Sequence, residues 1–362
     1  MRFLLVLFFL YVFLVGVAFL EAGIAASGEG FQAALLSSVS HPISGLCAGL
    51  LATVLVQSSS VSTSTIVGMV GAGTLPVSLA VPMIMGANIG TTVTNTLASL
   101  ASIRRPVEFR RAFAAATVHD FFNLFAVLIL LPVELATGLL SDTADYLSDL
   151  LWTGESDGSQ PRRSPIRAAV RLPVGWAQGL VDHGPSTSII FLVIGLSLIF
   201  LALTFITKNM RRLVAQQVEQ VMNRIIGRGG GAAGILVGIG VTVAVQSSTI
   251  TTSILVPLVA GGLLTLRSCY PITLGANVGT TITALLASLA VARPEGLTIA
   301  LVHTLFNVTA LALIYPLPAV RNLPVRMAEA TAELAARRHT VVFAYVVGLF
   351  LVLPLLGVFL IR

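Results

Sequence analysis

The chain has 362 residues, of which 56% are hydrophobic and only 10% are charged, and its mean hydropathy is +0.96. Soluble domains carry about 25% charged residues, so this composition excludes a soluble globular domain and predicts an all-α polytopic membrane protein. The net charge of +6 does not indicate a nucleic-acid partner, because the basic residues fall in short segments between apolar runs, as cytoplasmic loops require.

The first apolar run, 3–20, follows Met1-Arg2. It is longer than the ~7–15 residues of a signal-peptide core, and Glu21-Ala-Gly follows it rather than a clear cleavage site, so it reads as a retained span. A helix needs about 20 apolar residues to cross a bilayer, and 113–131, 189–207, 297–314 and 341–361 also qualify. Segments 43–100 and 232–290 are hydrophobic but interrupted by Gly, Ser, Thr, Asn and Pro. Pro76, Pro82, Pro257 and Pro271 each remove a helix donor and favour a break or kink. These stretches predict re-entrant hairpins or broken helices, which survive at membrane depth only where protein buries them or a wet cavity is lined by them. The Arg-rich stretch 321–338 alternates charge with Ala, Met and Leu and reads as a helix on the membrane surface. Cys47 and Cys269 give neither a zinc spacing nor a disulfide framework.

The interrupted stretches are near copies. Gln57-Ser58-Ser59-Ser60 and Gly86-Ala-Asn88-Ile-Gly90-Thr91-Thr92-Val-Thr94 return as Gln246-Ser247-Ser248-Thr249 and Gly275-Ala-Asn277-Val-Gly279-Thr280-Thr281-Ile-Thr283, both at an offset of 189 residues. Gly49-x-x-x-Thr53 returns as Gly238-x-x-x-Thr242, and His119-Asp120-Phe-Phe-Asn123 as His303-Thr304-Leu-Phe-Asn307. Paired repeats of this kind mark transporters whose substrate site lies at the midplane. Charge sets the topology. Residues 208–228 hold Lys208, Arg211, Arg212, Arg224 and Arg228 against Glu219, and a second basic loop holds Arg104, Arg105, Arg110 and Arg111. Both should be cytoplasmic. The segment 141–187, with Asp142, Asp145, Asp149, Glu155, Asp157 and Asp182 and a Gly/Ser-rich centre, should be an outer, flexible connector. The two repeats then face opposite ways. The expected organisation is a first repeat at 1–140, an extracytoplasmic connector at 141–188, a second inverted repeat at 189–318, and a surface helix with a terminal span at 319–362.

The sequence has no Gly-x-Ser-x-Gly, Walker A or His-Glu-x-x-His motif, and no enzyme activity or organic cofactor is expected. What the repeats carry is hydroxyls, side-chain amides and freed backbone groups. Their oxygens are hard ligands that suit sodium, and their O–H and N–H groups, with a helix N-terminus behind them, suit an anion. Such a site needs no arginine if co-transported cations neutralise the anion. Small polar residues also serve plain helix packing in membranes, but two copies in matching context favour a site. Asp120 is the acidic residue inside a predicted span, and an intramembrane carboxylate is a functional hypothesis by default. The alternative is a position near the surface, paired with Arg110 or Arg111. His119 and His303 read as helix contacts rather than proton relays, and Glu134, after Pro132, as an interfacial residue.

Thr53-Val-Leu-Val-Gln-Ser-Ser-Ser60, Pro82-Met-Ile-Met-Gly-Ala-Asn-Ile-Gly-Thr-Thr-Val-Thr-Asn-Thr96, Val245-Gln-Ser-Ser-Thr249 and Tyr270-Pro-Ile-Thr-Leu-Gly-Ala-Asn-Val-Gly-Thr-Thr281 resemble the type II sodium–phosphate cotransporters over nearly the whole chain. The resemblance implies sodium-driven uptake of inorganic phosphate by an inverted-repeat fold. The pattern Ala114-x-Ala116-x-x-x-Asp120 further implies net charge movement. Carried over by position, the phosphate candidates are Ser58, Ser59, Ser60, Ser247 and Ser248, supported by Gln57, Asn88 and Asn277. The sodium candidates are Gln246, Ser247, Thr249, Thr280 and Thr283, with Asp120 and Asn123 for further cations. Two departures, Arg104-Arg105 in place of an acidic residue and Ala276 in place of serine, put one cation site in doubt. The outer loop lacks the cysteines and glycosylation sites of animal members, and the chain stops at Arg362, which fits a bacterial inner-membrane protein. A transporter of another oxyanion or dicarboxylate is the alternative. An ion channel and a hydrolase using Ser58 are more distant readings.

Overall fold

The structure, a computed structural model, describes residues 2–151, 165–181, 185–226 and 231–361. All their regular elements are helical. In chain order they are α1 (Arg2–Ala25), α2 (Gly28–Ser38), α3 (Pro42–Val56), α4 (Ser59–Gly71), α5 (Val77–Gly90), α6 (Val93–Ser99), α7 (Pro106–Thr137), α8 (Leu139–Leu151), α9 (Pro165–Gln178), α10 (Pro185–Ile226), α11 (Gly231–Val245), α12 (Ser248–Ala260), α13 (Leu266–Ser288), α14 (Glu295–Ile314), α15 (Pro318–Arg337), α16 (His339–Val347) and α17 (Leu353–Leu360). Six stretches among the described residues are long and apolar enough to cross a membrane: Arg2–Ala25, Val77–Ser102, Pro106–Thr137, Ser186–Leu213, Glu295–Ile314 and His339–Leu360. The chain is thus an all-α polytopic membrane protein. The glycine- and serine-rich connector centre at 154–161, with Glu155 and Asp157, lies outside the described residues, as do Asp182 and Arg228.

Small residues decide how the spans pair. α1 and α10 run antiparallel, with Phe9 stacked on Phe205 at one end (centroids 4.7 Å apart) and Ser188 Oγ donating to the Gly23 carbonyl (2.6 Å) at the other. Between these ends a Cβ on Gly16 would meet the Ile199 amide at 2.9 Å, and one on Gly195 the Leu20 amide at 2.6 Å. Backbones approach this closely in membranes only over small residues.

The same rule, applied twice, builds the interrupted segments. Gly49 on α3 lies against the Met83 carbonyl, and Gly86 on α5 against the Leu46 carbonyl. In the second copy Gly238 on α11 lies against the Ile272 carbonyl, and Gly275 on α13 against the Ile235 carbonyl. Gly90 packs on Thr53 as Gly279 packs on Thr242. The glycines of the repeated Gly-Ala-Asn-x-Gly therefore serve helix contact.

The expected breaks exist, and of the four prolines Pro76 stands at one of them. Pro82, Pro257 and Pro271 lie inside α5, α12 and α13, and Pro76 caps α5. The chain reverses instead at Gln57 and Gln246, the described non-glycine residues with positive φ, at 57° and 58°. After the first Gly-Thr-Thr the chain is interrupted between α5 and α6, whereas α13 runs unbroken through the second. The described ends of the connector are helical, because each presents an apolar row at helical spacing. Leu140, Ala144 and Ser148 are buried on α8, and Val170 and Val174 on α9.

Two acids near the ends of spans are buried and employed. Glu134 accepts the Leu140 and Ser141 amides (2.7 and 3.2 Å), closing the start of α8. Glu21 accepts Arg171 at 3.0 Å and the Ala292 amide at 3.2 Å, joining α1 to α9 and to the segment before α14. The Arg-rich helix α15 buries Ala328, Ala332 and Ala335 and packs on α7, where Arg110 meets Glu333 at 2.8 Å. Hydrogen bonds from Arg110, and then from Arg337, hold the Glu333 carboxyl below the ordinary carboxylate range. Between α16 and α17 the backbone widens into a π-turn at Gly348–Val352. Pro354 follows, and its ring would clash with the carbonyl four residues earlier in a regular helix.

Candidate functional site

The two Gln-Ser reversals are alike atom for atom. Gln57 Nε2 donates to the Val54 carbonyl (2.6 Å) and its Oε1 accepts Thr94 Oγ1 (2.9 Å). Gln246 Nε2 donates to the Val243 carbonyl (2.7 Å) and its Oε1 accepts Thr283 Oγ1 (3.3 Å). Each glutamine thus holds its own left-handed turn and ties it to the threonine 37 residues on. Ser58 and Ser247 are the N-caps of α4 and α12, their hydroxyls accepting the Val61 and Ile250 amides at 3.3 Å. The first amides of a helix have no intrahelical acceptor. Those at 59, 60, 248 and 249 therefore stay available at two tips where helix dipoles present their positive ends.

The tips share one cavity of about 610 Å³, lined by Gln57, Ser58, Ser60, Gln246 and Ser247. The opposite wall is α10, including Lys208, Arg211 and Arg212. α10 thus carries basic residues to the border of the cavity, beside two tips whose own side chains are uncharged. Ser59 and Ser248 are buried behind the rim and Thr249 is half-buried.

Other expected residues lie elsewhere. Asn88, Asn123 and Asn277 form a buried amide network with Asn307. Asn123 Nδ2 donates to the Asn88 carbonyl (2.9 Å) and Asn307 Nδ2 to the Asn277 carbonyl (3.0 Å), the same bond in each copy. A cross-link joins the copies: Asn277 Nδ2 donates to Asn123 Oδ1 at 2.9 Å. His303 Nε2 lies 3.4 Å from Asn88 Oδ1, so this histidine makes the expected helix contact. His119 is buried, with the Asn277 side chain beside its ring. Thr280 is buried and donates to the Ala276 carbonyl (3.0 Å).

Asp120 is fully buried on α7. Its Oδ2 accepts Tyr345 Oη (2.7 Å) and Thr96 Oγ1 (3.5 Å), and the Thr92 hydroxyl also lies against the carboxyl. It does not pair with Arg110, whose partner is Glu333. A buried carboxylate with hydroxyl partners but no cationic one is costly unless a cation or proton reaches it.

Three contributors were not singled out in the sequence. Tyr345 comes from the terminal apolar run, which carries no signal of its partner. Asn95 donates to Thr252 and accepts Ser253 Oγ (2.8 Å), fastening α6 to α12. Its position in the second copy is Ala284, and that asymmetry was legible. The basic wall of the cavity was legible too, since 204, 207, 208, 211 and 212 share one helix face.

The family model described as Na+/Pi-cotransporter matches residues 12–137 and 198–323. Sodium-dependent phosphate transport protein 2A is 35% identical in Ovis aries and 36% in Rattus norvegicus, over 97% of this chain and 66% of theirs. Sodium-dependent phosphate transport protein 2B of Homo sapiens is 34% identical over 98% of this chain and 64% of its own. The chain spans just under two thirds of the length of these relatives. No solved structure matches it.

Proposed function

We propose, because the chain belongs to the Na+/Pi-cotransporter family, that it is a sodium-coupled symporter importing inorganic phosphate, electrogenic with the divalent anion. The observation that carries this reading is the convergence of both Gln-Ser tips on one cavity. In an inverted repeat the two hairpins enter from opposite sides, and only then do both tips reach one midplane site. The organisation into repeats at 1–140 and 189–318, joined by an outer connector, belongs to this proposal, as does residence in a bacterial inner membrane.

Phosphate is assigned to the paired N-termini of α4 and α12, through Ser58, Ser59, Ser60, Ser247 and Ser248. Gln57 and Gln246 fix the turns that aim those termini. The oxygens of Gln246, Ser247, Thr249, Thr280 and Thr283 are assigned to one sodium, and Asp120 with Asn123 to a further cation. Asn88 and Asn277 support both from the amide network between α7, α5, α13 and α14.

Labelled phosphate uptake into proteoliposomes, with and without an inward sodium gradient, tests the reading. Uptake should require sodium, and uptake that ignores the gradient would end it. Ser247→Ala should raise the KM for phosphate and for sodium together. Losing its cap also costs about 1 kcal/mol of local stability, so a shifted Tm with wild-type kinetics in both substrates would leave Ser247 a capping residue alone.

A further inference from the structure

The cavity between the tips is lined on one side by a single face of α10. Thr204, Thr207, Lys208, Arg211 and Arg212 all border it, at the i, i+3, i+4, i+7, i+8 spacing of one helical stripe. Phe200 and Leu203 continue the same wall, so from Phe200 to Arg212 it extends about 18 Å along the helix axis. Its far end carries all three charges, and the rest of the cavity lining is uncharged.

These three cations differ from the paired arginines of the molecule. Arg105, Arg110, Arg171, Arg293 and Arg337 each meet a carboxylate. Among the described residues Lys208, Arg211 and Arg212 form no ion pair, and Lys208 lies 6.0 Å over the Phe205 ring. Their charge is therefore not cancelled locally. A cleft with one sign of charge and low-dielectric walls concentrates ions of the other sign. Charge topology places this end of α10 on the cytoplasmic side.

We propose that Lys208, Arg211 and Arg212 form a cytoplasmic anion vestibule that holds phosphate between the Gln-Ser tips and the cytoplasm and repels sodium from the same path. The inference rests on the symport reading. It assigns these residues a positioning role: they set the cytoplasmic affinity for phosphate and leave the outward-facing affinity alone. Sodium leaves ahead of phosphate, and accumulated internal phosphate slows the return of the empty carrier. The chemistry recognised is a phosphate group, which a free anion and an anionic lipid headgroup both offer; the assigned ligand is the free anion.

The test compares the wild type with K208Q/R211Q/R212Q and with the charge-preserving R211K/R212K, in right-side-out and inside-out vesicles of neutral or anionic lipid. The triple variant should raise the KM for phosphate from the cytoplasmic face about tenfold, the low end of what a focused field supplies. The external KM should stay within twofold, and inhibition by internal phosphate should weaken in parallel. R211K/R212K should behave as the wild type. The cytoplasmic KM of the wild type should rise with ionic strength, and that of the triple variant should not. An unchanged cytoplasmic KM, or a change on the external face instead, overturns the proposal. So does an effect seen only in anionic lipid, which would make these residues headgroup contacts. Equilibrium binding of labelled phosphate to the purified full chain in neutral detergent reads the vestibule without transport. Tenfold weaker binding by the triple variant upholds it even where sodium-driven uptake fails, and equal binding overturns it even where uptake succeeds.

Discussion

Gly86→Ala should destabilise the protein by about 3 kcal/mol, the upper end of the range for overpacking a tight contact, and Gly275→Ala should do the same. The added methyl would fall on the Leu46 carbonyl in one case and on the Ile235 carbonyl in the other. Both obstacles are backbone, so no side chain can rotate away, and relief requires α3 and α5, or α11 and α13, to separate. Because these helices carry Gln57 and Gln246 at their ends, separation also displaces the tips, and transport should fall with stability. Gly240→Ala is the control. It lies on α11 with nothing within 4 Å of its Cβ position, and alanine there should be neutral or stabilise by up to about 1 kcal/mol. Thermal unfolding in detergent, followed by protease susceptibility, reads all three. A Gly86→Ala protein melting with the wild type would remove backbone contact as the reason for this glycine.

Asp120→Gly should abolish phosphate-evoked current while sodium-dependent phosphate uptake persists. Two sodium ions cancel the charge of divalent phosphate, so inward current needs a further cation. Asp120 is a fully buried carboxylate whose partners are hydroxyls rather than cationic side chains. Removing it leaves the path of that cation without countercharge. Asp120→Asn keeps the size of the side chain and should give the same result, which separates charge from packing. Tyr345→Phe removes the 2.7 Å hydrogen bond but not the charge, and should retain current at a stability cost of about 1.5–3 kcal/mol, as for a bond to an ionised group. Current per phosphate measured under voltage clamp decides the matter. An unchanged ratio in Asp120→Gly would take this residue out of coupling.

Much of the site was legible because it is written twice. Gln57 and Gln246 share a residue type, a neighbourhood and, in the structure, a left-handed turn. What the sequence left open was how local chemistry meets its surroundings. Proline removes a donor, yet Pro82, Pro257 and Pro271 are accommodated within helices, while an amide side chain that can bond its own turn makes the reversal. Glu134 reads as interfacial from its distance to a span end, and only the structure shows that its carboxylate closes the next helix six residues on. The duplicated glycines are visible in the sequence, but their closeness to carbonyls 34 to 40 residues away shows only in three dimensions.

By itself the sequence determined the membrane class, the helical content, the duplication and the family, because composition and long motifs need no coordinates. Tertiary structure alone decided which of the repeated polar residues share a cavity and which are locked in the amide network of Asn88, Asn123, Asn277 and Asn307. It also decided that Tyr345 meets Asp120 across 225 residues, and that Lys208, Arg211 and Arg212 face the tips rather than the lipid surface. The physical reason is common to all of these. A motif fixes the groups a segment can offer, while the partner each group meets depends on which helices their small residues allow to touch.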